Sequence, residues 1–205
     1  MTSNSYPFQL FPQVLDHMRP IEGWFPEDEA SLLFAITCRA LAESSGPRSL
    51  VEIGSYCGRS TVVLGGAIQA AKSEAKVYAI DPHAGALTLH NRSNTFRPPT
   101  LEKLTRNIAA AGLQDSVLLI QQLSYEVFWD KPITLLFIDG LHDYINVSRD
   151  FKHSEGWIRD GGYCAFHDYS TLFPDVISFV DEVLLTRKYI EMDRLGSLII
   201  LQKQP

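Results

Sequence analysis

The 205-residue sequence predicts a doubly wound α/β fold, a mostly parallel seven-stranded sheet that ends in an antiparallel hairpin. Two observations predict the parallel part. From residue 48 onward, short apolar runs alternate with segments of helical period, the pattern of repeated βα units. Those runs (SLVEI, KVYAID, SVLLIQ, ITLLFID, GGYCAFHD) are nearly continuous in apolar residues, as strands covered on both faces must be. A third observation predicts the ending: KYIEMDRLGSLIILQ carries two apolar strands around a tight turn at Leu195-Gly196, with no helical segment between them.

Residues 1–26 are rich in proline and aromatics (Tyr6, Phe8, Phe11, Trp24, Phe25), which predicts an arm that packs on the site or on another subunit rather than a solvated tail. Segment 27–44 opens with acids suited to a helix N-terminus and sets Leu32, Leu33, Ile36 and Leu41 near helical spacing. Gly46-Pro47 ends that helix. Further helices are expected over 60–72, 100–111, 124–128, 145–158 and 174–186, each after a strand. There is no internal repeat or low-complexity tract, and the length suits one domain, 27–205, behind the arm.

Composition bounds the function. With 45% hydrophobic and 20% charged residues, the chain reads as a soluble globular domain, and no stretch approaches the roughly 20 apolar residues of a membrane span. A net charge of −6, a pI near 5.5 and the lack of any Lys/Arg cluster argue against nucleic acid and for a small-molecule partner. The opening MTSNSYPFQLFPQVLDHMRP lacks the basic and continuously apolar stretches of a secretory leader, so a cytoplasmic protein is expected. Cys38, Cys57 and Cys164 have no metal-ligand spacing and fit reduced thiols, which leaves the Asn-x-Ser triplets at Asn91 and Asn146 without consequence.

The stretch VEIGSYCGRS, residues 51–60, places Gly54 and Gly58 in the turn from the first strand to its helix, where the lack of a Cβ lets backbone approach a ligand. The GxxxG spacing is neither the GxGxxG of a dinucleotide site nor a phosphate loop, which disfavours NAD and FAD. Asp81 ends the second strand, where a carboxylate accepts hydrogen bonds from both hydroxyls of a ribose. Glu52 adds a carboxylate able to meet an ammonium group. A nucleoside without pyrophosphate and with an amino-acid tail answers this description, as S-adenosylmethionine does.

Two more strand ends carry polar groups. ITLLFIDGLHDY ends in Asp139 with His142 three residues on, and GGYCAFHDY ends in His167 and Asp168. Neighbouring strand ends of an α/β sheet converge on one crevice, and two carboxylates brought together there call for a cation. Asp139 and Asp168, with His167, make a half-shell for Mg²⁺ or another divalent ion, and His142 is placed to take a proton from a bound hydroxyl. Singly, each has a plainer reading: Asp139 as a helix cap, His142 as a surface histidine, His167-Asp168 as a polar strand end. Four together favour a site. Among weaker candidates, Arg59 reads as a surface charge at a helix start, Cys57 as a buried filler, and His83 and His90 lie in a long loop, 82–99, that suits a lid.

LVEIGSYCGRST followed by VYAIDPHAG resembles the first two motifs of class I S-adenosylmethionine-dependent methyltransferases, and GSYCGRS is similar to their catechol O-methyltransferase-like form. FIDGLHDY with GGYCAFHDY further resembles macrolide sugar O-methyltransferases of the macrocin type. The resemblance spans residues 48–201 and implies a Rossmann-like methyltransferase fold. It implies that Glu52, Gly54, Ser55, Tyr56, Gly58 and Ser60 form the cofactor loop, that Asp81 holds the ribose, that Ser124 contacts the adenine side and that Asp139 ligates a metal. Where the catechol enzymes have a lysine as base, this sequence has His142. Their Asp-Asn metal pair stands here as His167-Asp168, which opens a metal-free variant in which His142 works alone.

The expected activity is transfer of the methyl of S-adenosylmethionine to a small-molecule hydroxyl, assisted by a divalent cation. A non-catalytic interaction module on the same fold and a nicotinamide-dependent oxidoreductase are the competing readings. The apolar, proline-broken arm is compatible with a homodimer.

Overall fold

The computed structural model describes residues 7–85, 87–88, 95–96 and 99–205, so the expectations for Tyr6, for His90 and for much of the 82–99 lid loop lie outside the described residues. In chain order the elements are α1 (Phe11–Met18), α2 (Glu27–Glu43), β1 (Ser49–Ile53), α3 (Arg59–Ala70), β2 (Lys76–Ile80), the short pair β3 (Leu87–Thr88) and β4 (Thr95–Phe96), α4 (Leu101–Ala110), β5 (Val117–Ile120), a 3₁₀ turn at Ser124–Glu126, β6 (Ile133–Ile138), α5 (Tyr144–Glu155), β7 (Ile158–Phe166), α6 (Pro174–Leu185), β8 (Tyr189–Leu195) and β9 (Leu198–Lys203). The main sheet runs β5-β2-β1-β6-β7-β9-β8. Its first five strands are parallel, and β9 and β8 join antiparallel, as the sequence predicts. Since the strand order reverses between β1 and β6, the crevice of a doubly wound sheet opens there.

Although the strands read as continuous apolar runs, period two sorts their side chains into two cores. Leu50, Val77, Ala79, Leu135, Phe137, Tyr163 and Ala165 pack beneath α1–α4. Val51, Ile53, Ile80, Leu136, Ile138, Cys164 and Phe166 pack beneath α5 and α6. Phe137 and Phe166 are fully buried, each removal from water contributing about 1.5–3 kcal/mol.

The described part of the arm, residues 7–26, packs on the helices of its own domain. Residues 11–18 form α1, with Pro12 in its first turn, where a missing N–H costs nothing. Val14, Met18, Ile21 and Phe25 then bury their side chains in the α2/α3 core. Arg59 fixes this packing: its guanidinium donates to the carbonyls of Ile21 (2.8 Å), Phe25 (2.7 Å), Met18 (3.2 Å) and Arg19 (3.2 Å). The expectation of a surface charge is thus corrected. Arg59 meets carbonyls at the end of α1 and along the segment that leads to α2, a set of acceptors to which its five-donor fork is suited.

Candidate active site

Four residues of the expected site stand one place beyond a strand end and are still held by the ladder. The amides of Gly54, Asp81, Asp139 and His167 donate to the carbonyls of Ile80, Ile120, Ile53 and Ile138 at 2.9, 3.1, 2.9 and 3.0 Å. Side chains hung from such an edge are held to a narrow range of positions. Asp81, Asp139 and His167 continue the rows that face α1–α4, so they converge on one side of the sheet. Tyr56, His83 and Asp168, all just past strand ends, have φ of 46, 51 and 59°, left-handed conformations that cost a non-glycine residue about 1 kcal/mol or more and gather at functional sites.

The turn after β1 is built by its neighbours. Gly54 has φ of 91°, and a Cβ on it would lie 2.2 Å from the Asp139 carbonyl oxygen, so the glycine lets the β1 and β6 ends abut. Asp81 braces the same turn by accepting from the amides of Tyr56 (2.9 Å) and His83 (2.7 Å). Its side chain keeps 17% of its surface exposed. Among the described residues, the buried hydroxyl of Ser55 has no hydrogen-bond partner, nor does the Nε2 of His83, whose ring is held through Nδ1 by Thr100 at 2.8 Å. Orphaned buried polar atoms beside a brace carboxylate fit a polar ligand seated at this turn.

Other residues of the expected cofactor loop are turned inward. Glu52 is fully buried and accepts from the hydroxyls of Ser60 and Thr61, both at 2.5 Å, at the first turn of α3. Burial, with the charges of Asp139 and Asp81, pushes its carboxyl up to about 8. Gly58 has φ of 92°, and a Cβ there would lie 2.5 Å from Leu104 on α4. Ser124 donates to Asp150, a buried acid of α5 whose carboxyl burial raises. Tyr56 extends to Glu22 of the arm (2.7 Å), which also pairs with Lys103 of α4 (2.7 Å), and the ring of Trp24 lies 5.5 Å from that of Tyr56. The arm thus borders the turn.

At the β6 and β7 ends, Asp139, His142 and Asp168 bring one donor atom each to within 4.8 Å of the others, the metal-capable trio found among the described residues. His142 Nε2 lies 2.7 Å from Asp168 Oδ2. The Phe173 ring packs against that of His142 in a tilted arrangement, centroids 4.4 Å apart and planes at 46°. Asp139 does not cap α5; Asp143 does, accepting from the Asn146 amide at 3.0 Å. His167 stands behind the trio. Its Nδ1 faces Asp139 Oδ1 (3.0 Å) and Asp168 Oδ2 (3.2 Å), and its Nε2 faces Glu29 Oε2 (2.8 Å). With both nitrogens on acids it braces the carboxylates rather than joining the trio. Burial alone would lower its pKa; the Asp139 charge and hydrogen bonds with Asp139, Asp168 and Glu29 instead push it up to about 12. Asp168 is likewise held well below the usual carboxylate range: burial opposes this, and the hydrogen bonds from His142 and His167 prevail.

The sequence reading missed Glu29 and Asp150. Glu29 sits among three acids in the first turn of α2, where a helix dipole already accounts for them, and its partner His167 is 138 residues away. Asp150 stands among polar and charged neighbours of α5 such as Arg149, Lys152 and His153, so nothing local marks it as the buried one.

A family model described as a methyltransferase domain matches residues 51–169, more than half of the chain. Among solved structures, the O-methyltransferase NovP superposes with a TM-score of 0.72 at 16% identity, over 86% of this chain and 79% of that one. CalS11, a TDP-rhamnose 3′-O-methyltransferase of calicheamicin biosynthesis, gives 0.65 at 12% identity over 98% and 96%. An O-methyltransferase from Bacillus cereus, solved with S-adenosylhomocysteine, gives 0.63 at 16% identity over 96% and 91%. At such identities these likenesses speak to the fold, and the fold, the turn after β1 and the family match agree. The chain belongs to the methyltransferase-domain family, with the sheet of a class I S-adenosylmethionine-dependent methyltransferase.

Proposed function

We propose that the protein transfers the methyl group of S-adenosylmethionine to a hydroxyl of a small molecule, with His142 as general base and a divalent cation held by Asp139 and Asp168. The observation that carries the reading is the abutment of the two halves of the site. The Gly54 backbone presses on Asp139, so a ligand at the β1 turn ends beside the Asp139–His142–Asp168 trio. S-adenosylmethionine supplies the methyl group for an in-line displacement, and a divalent ion supplies acidification and orientation of the acceptor hydroxyl.

The chain's own residues divide the remaining work. Asp81 holds the ribose hydroxyls while its other contacts keep the turn closed, and Ser55 gains the partner it lacks. Asp139 and Asp168 fix the acceptor side. His142 takes the hydroxyl proton, its ring held by Asp168 through Nε2 and packed against Phe173. Leu141 and Leu172, both exposed next to these two rings, offer apolar surface to the body of the acceptor. A second reading has one observation in its favour. The 2.7 Å contact joins His142 to Asp168 directly, a dyad that orients a base without a metal.

Calorimetric titration of S-adenosylhomocysteine, with Mg²⁺ and then with chelator and with NAD as control, tests the reading. Binding without response to NAD supports the cofactor; failure to bind in either condition defeats the transferase reading and favours the non-catalytic module. Methyl transfer to a panel of hydroxyl compounds that survives chelator selects the dyad over the cation.

A further inference from the structure

We infer that Glu29, from the first turn of α2, is a positioning residue of the site: through His167 it fixes the carboxylates of Asp139 and Asp168. This rests on the reading that those two acids hold a cation.

Four elements meet here. Glu29 is 3% exposed and His167 is 6% exposed, so the pair is shielded from water. Glu29 Oε2 lies 2.8 Å from His167 Nε2, and its Oε1 accepts from the Ser197 amide at 2.5 Å and the Ser197 hydroxyl at 3.0 Å. Ser197 belongs to the β8–β9 turn, and that turn is fitted to the acid: a Cβ on Gly196 would lie 2.3 Å from Glu29 Oε1. Phe25 closes the cluster from the arm, its ring 5.4 Å from that of His167.

The chemistry of the ring follows from its partners. Carboxylate oxygens stand at both ring nitrogens, so the ring bridges the acids on its two sides. Its Nδ1 lies between Asp139 Oδ1 (3.0 Å) and Asp168 Oδ2 (3.2 Å) and so holds two like-charged groups side by side, and that same Asp168 Oδ2 lies 2.7 Å from His142 Nε2. Glu29 anchors the other end of the ring. An acid of α2, 138 residues from His167 in sequence, thereby sets where the candidate ligands point, the part that outer-shell partners play around metal sites.

The experiment uses the full chain, Mn²⁺ as the probe cation, and Glu29→Gln, which keeps the shape but leaves one acceptor oxygen for two sets of donors. Mn²⁺ affinity should fall roughly 10- to 100-fold, while S-adenosylhomocysteine affinity stays within about twofold. In the wild-type protein the His167 Hε2 should give a slowly exchanging downfield proton resonance, absent or shifted in Glu29→Gln. Ser197→Ala, which removes one hydroxyl and keeps the amide, should weaken Mn²⁺ a few-fold in the same direction and serves if Glu29→Gln does not fold. A folded Glu29→Gln with wild-type Mn²⁺ affinity, or a wild-type protein with no such His167 resonance, overturns the inference. A wild-type protein that shows the resonance but binds neither Mn²⁺ nor S-adenosylhomocysteine overturns the functional reading instead.

Discussion

Replacing Glu52 with glutamine should make stability less dependent on pH and should raise it above neutrality. Burial, with the charges of Asp139 and Asp81, lifts the Glu52 carboxyl from 4.5 to about 8, against the pull of hydrogen bonds from Ser60 and Thr61. Folding therefore favours the protonated acid. The sign follows: the contribution is complete below the unfolded value of 4.5 and is lost as pH rises through about 8. At about 1.4 kcal/mol for each tenfold change in proton affinity, the span amounts to on the order of 5 kcal/mol, a large share of a typical domain's stability. Glutamine fits the same space uncharged, and a hydroxyl can both donate to it and accept from it. Urea unfolding of both proteins at about pH 5, 7 and 9 is the assay, with the wild type losing several kcal/mol relative to the variant across that range. Parallel stability curves would mean that the carboxyl is already charged in the fold, and the reasoning would fail.

Three further substitutions probe the site, and a fourth, Gly112→Ala, serves as a control. His142→Ala should cut turnover by about 10²–10⁴ and leave S-adenosylhomocysteine affinity nearly unchanged; an equal loss of affinity would place His142 in cofactor binding instead. Asp81→Ala should weaken S-adenosylhomocysteine by about tenfold or more through lost charge-assisted hydrogen bonds, and an unchanged dissociation constant in the calorimeter would remove it from the ribose role. Gly54→Ala forces a Cβ to 2.2 Å from the Asp139 carbonyl, whereas Gly112→Ala, also at positive φ, meets nothing within 4 Å. The second should cost only about 1–2 kcal/mol of backbone strain, the first several more, and equal thermal shifts would refute the close approach.

The sheet was legible because its strands are long apolar runs with helices between them, and the closing hairpin because Leu195-Gly196 admits a sharp turn. The site was legible as a set of polar residues at strand ends. Its internal wiring was not, for two physical reasons. Alternation along a strand says which face a residue takes: His167 follows Tyr163 and Ala165 toward α2, and Glu52 follows Leu50 toward α3, yet apolar runs buried on both faces hide that alternation from inspection. Partners such as Glu29 and Ser197, far from His167 in sequence, leave no local trace at all. Arg59 was misread because a cation at a helix start is ordinary on a surface, and only the fold supplies the four carbonyls that claim it.

The bond from Ser197 to Glu29 spans 168 residues, and that from His167 to Glu29 spans 138. During synthesis the carboxylates at the ends of β6 and β7 emerge well before the hairpin that anchors their brace. Long closures of this kind form late, because chain entropy opposes them until the rest of the sheet rewards them. A nascent chain lacking residues 189–205 would thus carry the proposed ligands and base but not the proposed lock on their geometry, so on this reading chemical competence arrives with the last strands.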